Sequence, residues 1–195
     1  MSVKAFELAI LFTGHMVDLP GRPTPRFPRD LERKAADAIT AAVERSKAGV
    51  RGGVIGISSG ARGGDTLFQE ACRLHGIKTR MVLPFPPEEF VKTSVEGVPN
   101  SNWVDRFWVS WNSVEPQWRD VVLDHVEDRA YGLCNRKVVE TGRTIADGIS
   151  LIAFWNGQAG DGPGGTSDMV ESVQKLGGRV EVIDPRRLLA GAGSD

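Results

Sequence analysis

Residues 54–65 read Val54-Ile55-Gly56-Ile57-Ser58-Ser59-Gly60-Ala61-Arg62-Gly63-Gly64-Asp65. The apolar run Val54–Ser58 predicts a short buried strand, and the small residues after it supply turn chemistry. From Asp65 to His75 the period changes. Leu67, Ala71 and Leu74 fall on one helical face, and Gly76 follows as a stop. A strand passing through a glycine loop into a helix is half of a βαβ unit, the crossover that parallel strands require.

The same alternation extends outward in both directions. Toward the N-terminus, Phe6–Phe12 (FELAILF) predicts a buried strand ended by Thr13-Gly14-His15, with Glu7 as its polar exception. Residues 20–29 hold four prolines together with Arg22, Arg26 and Arg29, and form a loop. Leu31, Ala35, Ala38, Ile39, Ala42 and Val43 then share a helical face that stops at Gly49. Toward the C-terminus, Thr79–Leu83 is a third strand closed by Pro84.

Residues 84–117 are irregular, although Trp103, Phe107 and Trp111 recur four apart and could share a face. A long helix is expected from Trp118 to Arg143, with Val122, Val126, Ala130 and Leu133 inward. Ile149–Trp155 is the fourth strand, Asn156–Gly165 a glycine-rich loop, Thr166–Leu176 a helix and Arg179–Ile183 the fifth strand.

Strands alternating with helices define an α/β fold. Apolar strands suit a parallel sheet covered on both faces, and right-handed crossovers leave few topologies. The expectation is a Rossmann-like, open, mainly parallel five-stranded sheet in the order 3-2-1-4-5, with helices on both faces. Residues 1–188 would form one domain and 189–195 a tail. The ligand cleft should open beyond the carboxyl ends of strands 1 and 4, where the winding reverses.

Composition narrows the function classes. Lys plus Arg is 24 against 25 for Asp plus Glu, a net charge of −1. That balance disfavours a protein that coats nucleic acid electrostatically. Hydrophobic residues at 41% and charged residues at 25% match a globular chain with a real core. Cys72 and Cys134 give neither a disulfide framework nor a zinc spacing, and three scattered histidines make no metal site. No metal or separate cofactor is called for. No apolar stretch approaches the roughly 20 residues of a membrane span, and Glu7 breaks the only run resembling a signal peptide. A cytoplasmic setting with reduced thiols is expected.

Glycine numbers 23, with seven in residues 49–64 and five in 157–165, so about half sits in and just before two strand-to-helix loops. Glycine lets backbone N–H groups turn toward an anion, and a helix start adds partial positive charge. Three loops therefore supply the candidate ligand-binding residues. They are Thr13, Gly14 and His15; then Ser59, Gly60, Ala61, Arg62, Gly63, Gly64 and Asp65; then Gly162, Gly164, Gly165 and Thr166. Arg62 could pair bidentately with phosphate, and Ser59 or Thr166 could donate hydroxyls. Asp65 could cap its helix and touch a ribose hydroxyl. Arg22, Arg26 and Arg29 could form a phosphate lid or simply a solvated loop. The tryptophans could stack a base, fill the core or form a dimer interface. Neither glycine loop is a Walker loop or a dinucleotide fingerprint.

Ser59-Gly60-Ala61-Arg62-Gly63-Gly64-Asp65 resembles the SGxARGxD loop of DNA-processing protein A. Asn135-Arg136-Lys137, Ala146-Asp147 and the glycine loop ending Gly165-Thr166 resemble the Lonely Guy family. Both belong to the SLOG superfamily of Rossmann-like nucleotide-binding proteins. The Lonely Guy resemblance implies cleavage of the N-glycosidic bond of a nucleoside 5′-monophosphate, with an arginine and a glutamate serving the reaction. Arg136 matches the family arginine. The family glutamate falls at Met169, so Asp168 and Glu171 beside it are the candidate catalytic carboxylates, with Asp65, Glu70 and Asp161 as alternatives.

Two glycine loops at one cleft, without a complete catalytic set, point first to a binding or sensor domain for a phosphorylated nucleotide or nucleotide-derived molecule. A nucleoside monophosphate phosphoribohydrolase is the alternative, and single-stranded DNA binding ranks below both at net charge −1. A homodimer is the expected assembly, with no membrane partner.

Overall fold

β1 (Phe6–Gly14) is the centre of the sheet, because its residues are apolar on both faces and Ala9, Ile10, Leu11 and Phe12 are all buried. The computed structural model of the chain describes residues 4–158 and 165–190. β2 (Val54–Ser58) lies parallel to one side of β1 and β5 (Ala146–Phe154) to the other. β3 (Lys78–Leu83), β4 (Arg119–Val121) and β6 (Arg179–Ile183) complete a parallel sheet in the order β4-β3-β2-β1-β5-β6. Without β4 this is the expected five-strand order.

The extra edge strand is only three residues long and carries no apolar run. It pairs Met81 with Arg119, and Arg80 grips Asp120 through two hydrogen bonds of 2.5 and 2.9 Å. Strand pairing here displaces the start of the expected long helix. That helix, α5, spans only Ala130–Ile145, and Val126, expected inward, is 53% exposed in the segment before it. β5 begins three residues before the expected strand, because it pairs with β1 from Phe6↔Ala146 to Gly14↔Phe154.

α1 (Glu32–Lys47) and α2 (Gly64–Leu74) cover one face, packing Leu31, Ala35, Ile39, Ala42, Val43, Phe68 and Cys72 against Ile10 and Phe12. Leu74, expected inward, is 74% exposed at the end of α2. The same cluster includes α3 (Pro87–Phe90), the π-helical turn Val91–Val95, and α4 (Trp103–Ser113). Trp103, Phe107 and Trp111 do share a face, and it is buried. α5 and α6 (Thr166–Lys175) cover the other face, where Cys134, Val138, Met169 and Val173 meet Ala9, Leu11 and Ile57. α7 (Pro185–Ala190) closes the described chain. Both cysteines are buried and free. No helix is long and apolar enough to cross a membrane.

Winding runs outward from β1 through β2 and β3 to β4, then returns to β5 on the other side of β1. Strand order thus reverses between β1 and β5, which is where an open α/β sheet places its ligand crevice.

Candidate functional site

A cavity of about 870 Å³ opens at that reversal. The end of β1 supplies its floor with Phe12, Thr13 and Gly14. Ser59, Ala61 and Asp65 line it from the loop after β2, and Gly165 and Thr166 from the start of α6. Thr13 and Thr166 place their Oγ1 atoms 3.2 Å apart, so both hydroxyls meet at the head of α6. No side chain caps the N-terminus of α6, whose N-cap residue is Gly165. Its first N–H groups have no partner within the helix, and they carry the positive end of the dipole.

The loop after β2 is arranged differently from the expected phosphate cradle. Arg62 N–H donates to the Ser94 carbonyl (3.0 Å), Gly64 N–H to His15 (3.2 Å) and Thr66 N–H to Ala61 (3.3 Å). The glycines serve close packing. A Cβ on Gly60 would meet Met81 Cε at 2.4 Å and the Phe107 ring at 3.0 Å. Gly63 has φ of +95° and lies against the Val17 nitrogen, a conformation and an approach that only glycine tolerates. The anion position at the head of α2 is taken by the protein's own Asp65. Its Oδ1 accepts from Ser59 Oγ at 3.0 Å, and the backbone N–H groups of Ser59 and Asp65 add to this.

Asp65 is 7% exposed, and burial pushes its carboxyl up to about 7, against the opposing pull of the Ser59 bonds. A neutral carboxyl that ionises near pH 7 can donate or accept a proton. Beneath it, Gln69 Nε2 donates to Ser58 Oγ (2.9 Å), which in turn donates to the Ser59 carbonyl (2.8 Å). This chain fixes the turn that carries Ser59.

The remaining wall comes from segments with little local signal in the sequence. Phe90, Ser94, Asp128, Arg129, Tyr131, Asn135 and Val138 line the cavity. Ser94 Oγ and Tyr131 Oη lie 2.8 Å apart, joining the π-helical turn to α5 across the mouth. The signal for this wall lay in Tyr131, the only tyrosine of the chain, and in Ser94-Val95.

Several predicted residues lie elsewhere. Arg62 is 4% exposed, and its Nε and Nη1 donate to the carbonyls of Val17 (3.0 Å) and Glu96 (3.3 Å). It lines a second cavity of about 260 Å³ instead of the cleft, as does His15. His15 Nε2 accepts the Asn156 N–H at 3.3 Å, and burial lowers its pKa. Arg29 donates to the carbonyls of Pro99 (3.1 Å) and Asn100 (2.6 Å), tying the proline loop down, whereas Arg22 and Arg26 line the second cavity with Arg62. The tryptophans do not line the cleft.

Arg136 and Asp168 do come together, in an adjoining depression of about 140 Å³ that meets the cleft at Asn135. Met169, at the family glutamate position, is a core residue at 2% exposure. Glu171 faces solvent and bonds Lys175 at 2.8 Å. Glu70 holds Arg106 through both oxygens, at 2.8 and 2.7 Å, away from the cleft. Gly162, Gly164 and Asp161 lie outside the described residues. Among the described residues no group of three or more His, Cys, Asp or Glu side chains could hold a metal ion.

No protein-family model matches the chain, and no curated protein matches it. Two solved structures are similar in fold. The X-ray structure of TM1055, a structural-genomics target, is 15% identical, with a TM-score of 0.45 over 88% of this chain and 71% of that one. That of DNA processing protein A (DprA) from Streptococcus pneumoniae is 12% identical, with a TM-score of 0.40 over 94% of this chain and 60% of that one. At these levels the assignment of a Rossmann-like sheet rests on its strand order and reversal point.

Proposed function

We propose that the protein binds a nucleotide, or a small molecule derived from one, in the cleft between β1 and β5. The observation that carries this reading is the meeting of Thr13, Thr166 and the uncapped head of α6 in one cavity of about 870 Å³. A phosphate there accepts from two hydroxyls and from first-turn N–H groups, in the field of the helix dipole. The volume is in the range of small-ligand sites, several hundred Å³. Phe90, Tyr131 and Val138 offer an apolar wall for a base, and Ser59 and Asp65 offer partners for sugar hydroxyls.

Calorimetry against nucleoside monophosphates, ADP-ribose species and cyclic nucleotides tests the proposal. Saturable heat is expected with at least one, and removal of its phosphate should weaken binding about tenfold or more. Absence of heat with every member, from folded protein, overturns it.

A second reading has its own observation, the buried Asp65 carboxyl that ionises near pH 7. In an N-glycosidase it would protonate the departing base nitrogen as the C–N bond breaks and water adds to the sugar carbon. Incubation with nucleoside monophosphates followed by chromatography for free base decides. Release that Asp65→Asn abolishes supports this activity, and no release from any nucleotide removes it.

A further inference from the structure

Met16 stands between the cleft and the second cavity and is the one residue lining both. We propose that this second cavity is a binding site for a tetrahedral oxyanion of the phosphate type, held by the guanidinium groups of Arg22, Arg26 and Arg62. The site follows from its own lining and stands whether or not the cleft takes a nucleotide.

Charge comes first. The cavity of about 260 Å³ is lined by three arginines and a single carboxylate, Asp18. That carboxylate is engaged with its own loop. Its Oδ2 accepts the N–H groups of Arg26 (2.8 Å) and Phe27 (2.9 Å), and its Oδ1 lies 3.4 Å from Arg22 Nε. An excess of buried positive charge invites an anion.

Arg62 is the anchor. Its guanidinium is buried, and two of its nitrogens are fixed by the Val17 and Glu96 carbonyls. Among the described residues no acceptor meets Nη2, and the side chain lines the cavity. Carbonyl partners orient the guanidinium without neutralising it. Burial accordingly lowers the Arg62 pKa, with Asp18 acting on it only through charge. A rigid, buried, uncompensated guanidinium is the donor that suits phosphate.

His15 completes the set. Its Nε2 accepts the Asn156 N–H, so a neutral ring carries its proton on Nδ1. Arg26 and Arg22 push its pKa down further, and Asp18 pulls the other way. The space is too small for a nucleoside and suits a phosphoryl or diphosphoryl group. Two sources share that chemistry, free phosphate and the terminal phosphoryl of a ligand lying across Met16 in the cleft.

Nuclear magnetic resonance separates them in the intact protein. His15 is one of three histidines and reports on the cavity, whereas Tyr131, the only tyrosine, reports on the cleft. Inorganic phosphate or pyrophosphate should shift the His15 ring saturably and raise its apparent pKa, and sodium chloride at matched ionic strength should not. Arg22→Gln combined with Arg26→Gln, both in the proline-rich loop, should weaken the response about tenfold. Arg62→Lys keeps the charge and should weaken it through lost geometry.

A nucleoside diphosphate that moves both probes identifies the ligand's own phosphoryl as the source. One that moves Tyr131 alone, with His15 still answering to phosphate, identifies free phosphate. If Tyr131 never responds, the cleft reading fails and the oxyanion site stands. If His15 ignores phosphate and pyrophosphate, or answers chloride or the arginine variants equally well, the oxyanion site is overturned.

Discussion

Replacing Asp65 with asparagine should make the protein more stable as the pH rises. The side chain is buried and its carboxyl is pushed from 3.8 up to about 7, so the folded chain keeps a proton that the unfolded chain releases. Where the native state holds more protons, raising the pH favours unfolding. The cost is absent below about pH 4, grows between pH 4 and 7, and is constant above about pH 7. A rise of roughly three pH units, at about 1.4 kcal/mol each, amounts to roughly 4 kcal/mol of stability withheld at alkaline pH. The asparagine side chain would occupy the same volume and can still accept from Ser59 Oγ, but it has no charge to bury. Urea unfolding of both proteins at about pH 5 and at about pH 8 measures this. The advantage of Asp65→Asn should grow by about 2–4 kcal/mol between these values. A difference independent of pH would show that the carboxyl is solvated and titrates normally, and the assignment of Asp65 as a poised acid would fall with it.

Other consequences are open to measurement. Gly63→Ala should cost about 3 kcal/mol or more in chemical denaturation, since a Cβ there meets the Val17 nitrogen at 2.6 Å with φ of +95°. Thr166→Val should leave stability within about 0.5 kcal/mol yet weaken nucleotide binding about tenfold in calorimetry, because it removes the hydroxyl 3.2 Å from that of Thr13. Arg136→Ala should change that affinity less than about twofold, because Arg136 lies in the adjoining depression; a tenfold loss would move the edge of the site. Arg106→Lys should cost about 1–2 kcal/mol of unfolding free energy, through loss of the paired bonds to Glu70, the bond to Glu32 and the stacking 4.1 Å over Trp103.

The strands that decide the topology were legible because a parallel strand buried on both faces must be an apolar run, and β1, β2, β3 and β5 are such runs. β4 was not legible, because an edge strand three residues long needs no apolar pattern and is held by Arg80 and Asp120. Val122, Val126 and Ala130 imitate a helical face by spacing alone, and only the pairing of Arg119–Val121 with β3 shows that the chain is extended there. Local sequence located the loops of the site but not the direction of their side chains. Arg62 in a glycine loop has the composition of a phosphate clamp, yet the carbonyls that claim it belong to Val17 and Glu96, distant in the chain. Tyr131 and Ser94 escaped notice because an irregular stretch brings them to the cleft only after folding.

Alternate residues of β1 belong to different halves of the interior. Ile10 and Phe12 pack with α1 and α2, whereas Ala9 and Leu11 pack with α5 and α6. The strand is therefore a beam clamped from above and below, with Thr13 and Gly14 as its free end in the cleft. A repacking in either half shifts the same backbone, so a substitution remote from the ligand reaches Thr13 across a few covalent bonds. Compensating changes for a weakened site can then arise on either side of the sheet, including among helices that touch neither cavity.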